Sequence, residues 1–200
     1  MPHSLPLKGD YDIGRLEQSI HMVIERHEIL RTHFHEDEEG IVTQIIQPRK
    51  EFNFLIDKHD YTQEEAPEEN VYKYIQADRS KGFDLQNGPL LRAALLKVED
   101  GYWFFHYNMH HIISDGWSME VLKRDVLTCY GILSNDKSVF PDPLRIQYKD
   151  YAVWQLNQLQ SNKYKQHKDY WTNLLLGNLA PINFESAKKR PALRTTNGHT

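Results

Sequence analysis

The stretch "GPLLRAALLKVEDGYWFFHYNMHHIISDGW", residues 88–117, constrains this chain more than any other part of it. Two apolar runs flank "EDG", an acidic turn closed by glycine, and together they read as a β-hairpin. The second run ends at His110 and His111. A short polar turn follows, and then an amphipathic pattern over residues 117–133 that reads as a helix. The fold therefore contains a sheet strand that delivers two adjacent histidines to the start of a helix.

The rest of the chain supplies further strands and helices. Ile13, Leu16, Ile20, Val23, Ile24 and His27 recur at three- and four-residue steps, which predicts an amphipathic helix over residues 12–30 with Asp10 or Asp12 as its N-cap. "LRTHFHEDEEGIVTQIIQ", residues 30–47, reads as a hairpin around an acidic surface turn, and "FNFLID", residues 52–57, as a short strand. "APEENVYKYIQADRSKG", residues 66–82, carries an early proline, early glutamates and a glycine after its basic end, all helix start and stop signals. A proline-bearing loop, "VFPDP" at 139–143, precedes two more helices within residues 146–177; beyond Gly177 the sequence turns polar and irregular, like a linker. This order of elements predicts an α/β (α+β) fold with a mixed β-sheet flanked by helices.

Composition narrows the function classes. With 40% hydrophobic and 12% aromatic residues in 200, the chain has material for a core. Lys and Arg total 24 against 28 Asp and Glu, a net charge of -4, and the basic residues are scattered, so a nucleic-acid footprint is not expected. No run reaches the length of a membrane span, and the N-terminus lacks the charged-then-apolar order of a signal peptide. A cytoplasmic protein without membrane contact is expected. The one cysteine, Cys129, sits in an apolar helical pattern and reads as a small core side chain.

The histidines admit several chemistries. If the strand persists over residues 102–113, alternation puts His106, Asn108 and His110 on one face and Phe105, Tyr107, Met109 and His111 on the other. Only one of His110 and His111 then faces a given cleft. Ser114 or Asp115 can cap the following helix, and Gly116 permits a close backbone approach. A helix N-terminus beside an imidazole suits acid–base chemistry with a developing oxyanion. Metal ligation is disfavoured, because His106 and His110 would lie about 13 Å apart along a strand and His110 and His111 point apart. Ser114 lacks the G-x-S-x-G surroundings of a nucleophile elbow. The remaining reading, packed histidines with Asp115 as a plain cap, stays open on these residues alone.

Three segments together resemble the condensation domains of nonribosomal peptide synthetases. "MHHIISDGWS" at 109–118 is similar to their H-H-x-x-x-D-G motif, "RHEILRTHF" at 26–34 to their R-H-E-x-L-R-T-x-F segment, and "YKDYAVWQ" at 148–155 to their Y-x-D-Y/F-A-x-W motif. All stand in the family's order, with "GFDLQNGPLLRAALLKV" between them. The resemblance implies a chloramphenicol-acetyltransferase-like lobe and an acyltransferase that forms peptide bonds. An acyl or peptidyl thioester on one carrier protein is passed to the amine of an aminoacyl group on the next. No cofactor is bound directly; phosphopantetheine arms arrive on the partner carrier proteins.

The resemblance also implies roles. His111 and Gly116 are the active-site residues, with Gly116 keeping the helix N-terminus open to substrate. Whether His111 takes the amine proton or stabilises the tetrahedral intermediate is left open by the resemblance. His110, Asp115, Arg26 and Arg31 support the site: Asp115 is expected to turn away and form an ion pair, with Arg26 as first partner and Arg31 as second. Tyr151 and Trp154 are expected to pack in a core. The aspartates of heterocyclisation domains are absent at 110 and 111.

Family members have two lobes, and this sequence is similar to the first. Residues 1–177 are expected to form that lobe without the family's opening S-x-A-Q motif, and residues 178–200 a truncated linker toward a missing C-terminal lobe. Expected partners are the carrier proteins, that second lobe and an adenylation domain. The alternative is a non-catalytic half-domain that docks carrier proteins or another synthetase part.

Overall fold

The computed structural model describes residues 1–135 and 141–180. In chain order the elements are β1 (Pro2–Lys8), α1 (Ile13–Arg26), β2 (Thr32–Glu36), β3 (Val42–Ile46), β4 (Ile56–Asp60), α2 (Pro67–Ser80), β5 (Leu91–Glu99), β6 (Tyr102–Met109), α3 (Gly116–Ser134), α4 (Tyr148–Gln160) and α5 (Lys165–Leu174), with 3₁₀ turns at Glu28–Arg31 and Asn162–Tyr164.

The hairpin legible in the sequence forms the middle of the main sheet. β5 and β6 pair antiparallel from Leu91 opposite Met109 to Glu99 opposite Tyr102, with a bulge between Lys97 and Glu99. Gly101 closes the turn at φ +74°, a left-handed position where a Cβ would strain the backbone. Side chains alternate, so the pair has two faces. On one, Leu91, Leu95, Phe105, Tyr107 and Met109 join Leu16, Ile20 and Val23 of α1 and Leu122, Val126 and Cys129 of α3 in the principal core. On the other, Ala94, Leu96 and Val98 pack with Val71 of α2. Helices thus cover both faces, which explains why β5 reads as a continuous apolar run. Leu95 and Leu96 are fully buried, and each such leucine stabilises the fold by about 1.5–3 kcal/mol.

The sheet order is β1-β6-β5-β4. β1 runs antiparallel to β6, whereas β4 is parallel to β5, the two joined by the α2 crossover. This is the expected mixed sheet flanked by helices. β2 and β3 form the expected hairpin as a separate two-stranded sheet.

Three boundaries and one whole strand differ from the sequence expectations. α1 ends at Arg26 because His27 is extended (φ -104°, ψ 100°), and residues 28–31 continue as a 3₁₀ turn. The strand expected at 52–57 lies at Ile56–Asp60; Phe52 and Phe54 stack on each other at 6.0 Å and Phe54 is buried ahead of the strand. β6 stops at Met109, not at 113. β1 was not expected, since Pro2 and Pro6 cannot donate to a ladder and suit only an edge strand. Residues 139 and 140 of the "VFPDP" loop, and the expected linker from 181 onward, lie outside the described residues.

Two compact units are present, Met1–Trp154 and one that begins at Gln155. The second holds the end of α4, the turn at Asn162–Tyr164 and α5. No helix among the described residues is long and apolar enough to cross a membrane. Cys129 is buried in the core as expected, and burial raises its thiol pKa.

A polar cluster is built into the face that α2 covers. Asp78 of α2 is buried with His106 and Asn108 of β6. Its Oδ2 accepts from Asn108 Nδ2 at 2.7 Å and lies 3.2 Å from His106 Nε2, and its Oδ1 accepts from Arg92 Nε. The other His106 nitrogen, Nδ1, is 2.8 Å from Ser4 Oγ, which ties the cluster to β1. Burial alone would raise the carboxyl pKa, but the bonds from His106, Arg92 and Asn108 outweigh it and hold the group well below the usual carboxylate range. The folded state therefore binds this proton less tightly than the unfolded chain. The stability so contributed is present above the unfolded value of about 3.9 and is lost as pH falls through and below it. We expect Asp78→Ala to cost about 3 kcal/mol at neutral pH, the low end for breaking a buried ion pair, because the Arg92 side chain keeps 23% exposure. Urea melts at pH 7 and pH 3 check this: wild type should lose more stability on acidification than Asp78→Asn does.

Candidate active site

The β5–β6 ladder sets where the site begins. His110 N–H donates to Leu90 O at 2.9 Å, just outside the strand pair, and the chain then turns. His110 is the hub of that turn: its Nδ1 accepts from Ile112 N–H at 3.0 Å, and its carbonyl accepts from Ile113 N–H and Ser114 Oγ, each at 3.1 Å. Partial burial, then the N-terminal ammonium and His111, lower the His110 pKa and favour the neutral ring that this bond to Nδ1 requires. His111 and Ile112 are exposed at the tip, while Ile113 and Ser114 are buried again.

α3 starts at once behind the turn. Asp115 is its N-cap, in extended conformation, with Oδ1 accepting from Ser118 N–H at 2.8 Å and Ser118 Oγ at 2.6 Å. These two bonds lower its pKa. Gly116 is the first helical residue; an added Cβ there would meet nothing within 4 Å, so the space beside its α-carbon is open.

A cleft of about 240 Å³ opens at this point, lined by Ile29, His111, Ser114, Asp115, Ser118 and Tyr148 among others. Beside it lies a smaller apolar cavity of about 120 Å³ that shares Ile29, Ile113, Ser114 and Ser118 and reaches Leu30, Met109, Val121 and Leu122. An exposed imidazole, a capped helix terminus and an apolar wall therefore meet within one concave region. Such an arrangement can move a proton at an attacking amine and favour negative charge near the helix end.

The structure brings together His110, His111, Asp115 and Gly116 but not the expected ion pair. Asp115 makes no salt bridge with Arg26 or Arg31, because the α3 terminus engages its carboxylate. Arg26 instead donates through Nη1 to Asp142 O, with Nε 3.6 Å from Asp125 Oδ2. Arg31 donates to Gln47 O at 2.5 Å and lies 3.7 Å from Glu28. The carboxylate that fastens this region is Asp125 of α3, with Oδ2 2.8 Å from His27 Nε2 and Oδ1 2.9 Å from Arg124 Nη2. Burial would raise its pKa, but the His27 and Arg124 contacts outweigh that and lower it. The sequence held a signal for this: Asp125 interrupts the apolar stripe Leu122, Val126, Cys129 at helical spacing, a place where a carboxylate needs partners.

Tyr151 and Trp154 are not in a core as expected. They are 43% and 52% exposed, on a helix with no buried residue, and form a run of ring contacts with Tyr148 at 5.9 and 5.7 Å. Tyr148 and Ile29, which sequence reasoning did not single out, line the cleft. Among the described residues no group of three or more His, Cys, Asp or Glu could hold a metal ion.

A family model described as "Condensation domain" matches residues 1–200. The chain is 34% identical over 198 residues to bacitracin synthase 3 of Bacillus licheniformis, a match that covers 99% of this chain and 3% of that protein. Among solved structures it is similar to the starter condensation domain of rhizomide synthetase RzmA, with a TM-score of 0.80, 22% identity, and coverage of 90% of this chain and 43% of that one. It is also similar to the X-domain from teicoplanin biosynthesis, with a TM-score of 0.80, 27% identity, and coverage of 96% and 42%. The chain thus spans less than half of these solved domains and a small part of the synthase.

Since Asp115 works as an exposed cap and Asp125 as a partly buried hub, their variants should separate. Asp115→Ala should lower the melting temperature modestly and Asp115→Asn should restore it, whereas Asp125→Ala should lower it further by leaving Arg26 and His27 without their carboxylate. Thermal denaturation of the three variants checks the order; a larger loss for Asp115→Ala than for Asp125→Ala contradicts it.

Proposed function

The chain belongs to the condensation domain family, and from that premise we propose that it is the lobe carrying the active-site histidine of a peptide-bond-forming acyltransferase in a nonribosomal peptide synthetase. Residues 1–177 make up this lobe and residues 178–200 lead toward a second one. The substrates are an acyl or peptidyl thioester on one carrier protein and the amine of an aminoacyl group on another. Both arrive on phosphopantetheine arms, so the arm is part of each substrate and not a resident cofactor. The carriers, a C-terminal lobe and an adenylation domain are the partners, and the setting is the cytoplasm.

The observation that carries this reading is the position of His111, exposed at the mouth of a cleft whose wall is the capped N-terminus of α3. In the proposed reaction the amine nitrogen attacks the thioester carbonyl carbon. A C–N bond forms, the carbonyl oxygen becomes an oxyanion, and the C–S bond then breaks to release the thiol. His111 receives the proton the amine gives up and returns it to the departing sulfur. The α3 terminus favours the oxyanion, and the open space at Gly116 lets the carbonyl approach. His110, Asp115, Arg26 and Arg31 support the site indirectly: His110 and Asp115 fix the two ends of the turn, and Arg26 and Arg31 fix the segment that carries Ile29 to the cleft.

The test is made in the complete domain that contains this chain. His111→Ala should lower condensation roughly 10²–10⁴-fold, the usual contribution of a proton-transfer group, with carrier binding retained. Full activity in that variant removes His111 from the mechanism. Carrier binding in a wild-type domain that shows no turnover would favour the docking module instead.

A further inference from the structure

Phe83 sits in the segment between α2 and β5 and touches two groups that otherwise have nothing in common. The Arg92 guanidinium carbon stands 3.8 Å from its ring centroid, and the His110 ring meets it nearly perpendicular, at 82° and 5.9 Å between centroids. Arg92 has little freedom of its own. Nε donates to Asp78 Oδ1, Nη2 to the carbonyl oxygens of Asp78 and Lys81 at 2.9 and 3.1 Å, and Nη1 to that of Gly82 at 3.1 Å. The planar fork is therefore fixed at the C-terminal end of α2, and the ring stacked against it is fixed in turn. His110 passes this on, because its Nδ1 holds the Ile112 N–H. A continuous series of contacts runs from the buried carboxylate of Asp78 to the residue that follows His111.

We propose that Arg92 and Phe83 are positioning residues for the turn at His110–Asp115, setting the orientation of the His110 ring and through it the place of His111. Neither touches the cleft that holds His111. The consequence for catalysis rests on the condensation reading above; the consequence for the turn does not. Without the Phe83 ring the imidazole loses its aromatic neighbour and can swing away from Ile112 N–H, which opens the backbone on both sides of His111. Among the described residues the groups that face His110 are the N-terminal ammonium, His111 and the Phe83 ring with Arg92 behind the contact, none of them a carboxylate.

The experiment uses the 200-residue chain labelled for NMR. In wild type, the imidazole nitrogen shifts should report His110 as neutral at pH 7 with its proton on Nε2; a proton on Nδ1 overturns the proposal without any variant. Phe83→Leu should speed hydrogen exchange at the Ile112 amide roughly tenfold relative to wild type, the effect of losing an aromatic contact of this kind. Exchange at Leu95 in the sheet should stay unchanged, and Phe83→Tyr should keep the wild-type Ile112 rate. Unchanged Ile112 exchange in a folded Phe83→Leu, or equal loss in the Leu and Tyr variants, overturns the proposal. In the complete domain Phe83→Leu should lower kcat with little change in KM, and Phe83→Tyr should recover it. A kcat that does not follow the Ile112 rate overturns the link to catalysis. If the wild-type domain forms no peptide bond, the functional reading fails while the exchange data still decide the positioning role.

Discussion

The antiparallel pairing of β5 and β6 is the constraint on which the other parts depend. It puts β6 in the interior of the sheet, with β1 on one side and β5 on the other, and it gives both strands two buried faces. α1 and α3 pack on one face through apolar residues alternating along β5 and β6, and α2 packs on the other through Ala94, Leu96 and Val98 together with the polar cluster of Arg92, His106 and Asn108 around Asp78. The pairing also decides where regular structure ends. The Leu90 carbonyl takes the N–H of His110, and with that bond the β5–β6 ladder ends. The turn that bears His111 is thus a product of ladder length, and α3 is close behind it because Asp115 can cap a helix within a few residues.

Two carboxylates, one buried and one partly buried, secure the helices around that frame. Asp78 gathers Arg92, His106 and Asn108 and fastens α2 to the sheet; Asp125 gathers His27, Arg26 and Arg124 and fastens α3 to the end of α1. In each case the donors outweigh the cost of burial and keep the acid ionised, so both contributions weaken in acid. The carboxylate of the site, Asp115, has no part in this scheme. It is exposed and locally satisfied by Ser118, and it lines the cleft with His111, whose ring adds to the lowering of its pKa.

How much of this was legible depended on whether the controlling interaction is local in sequence. The α1 cap, narrowed to Asp10 or Asp12, the turn at Gly101, α2 between its proline and its basic end, and the start of α3, capped by Ser114 or Asp115, all follow from neighbours within a few positions, and the sequence carried each to that point; the structure selects Asp12 and Asp115. β1 was missed because an edge strand containing Pro2 and Pro6 has only a distant partner, β6, to make it a strand. The late start of β4 has the same origin: Phe52 and Phe54 look like strand residues, but the parallel pairing with β5 begins only at Ile56 opposite Ala93. The ion pair expected for Asp115 failed for a related reason. Residue spacing cannot say which carboxylate an arginine about 90 positions away in sequence will reach, whereas a free N–H three residues ahead of an aspartate is always within range. The local bond formed, and Arg26 settled on Asp125 and the backbone of Asp142 instead.

Alternation along a strand was expected to separate His110 from His111, yet the strand ends before either of them, and they are separated all the same. The cause is hydrogen bonding. His110 commits its N–H to Leu90, its Nδ1 to Ile112 and its carbonyl to Ile113 and Ser114, so both its backbone and its ring are parts of the turn. His111 makes no side-chain hydrogen bond among the described residues and stands exposed in the cleft wall. The proton transfer proposed for His111 is incompatible with also being the acceptor that closes a turn, since protonation would open the turn at each cycle. The two adjacent histidines thus differ in what they hold: the ring fixed by Ile112 and Phe83 gives the backbone its shape, and the ring next to it stands exposed at the cleft.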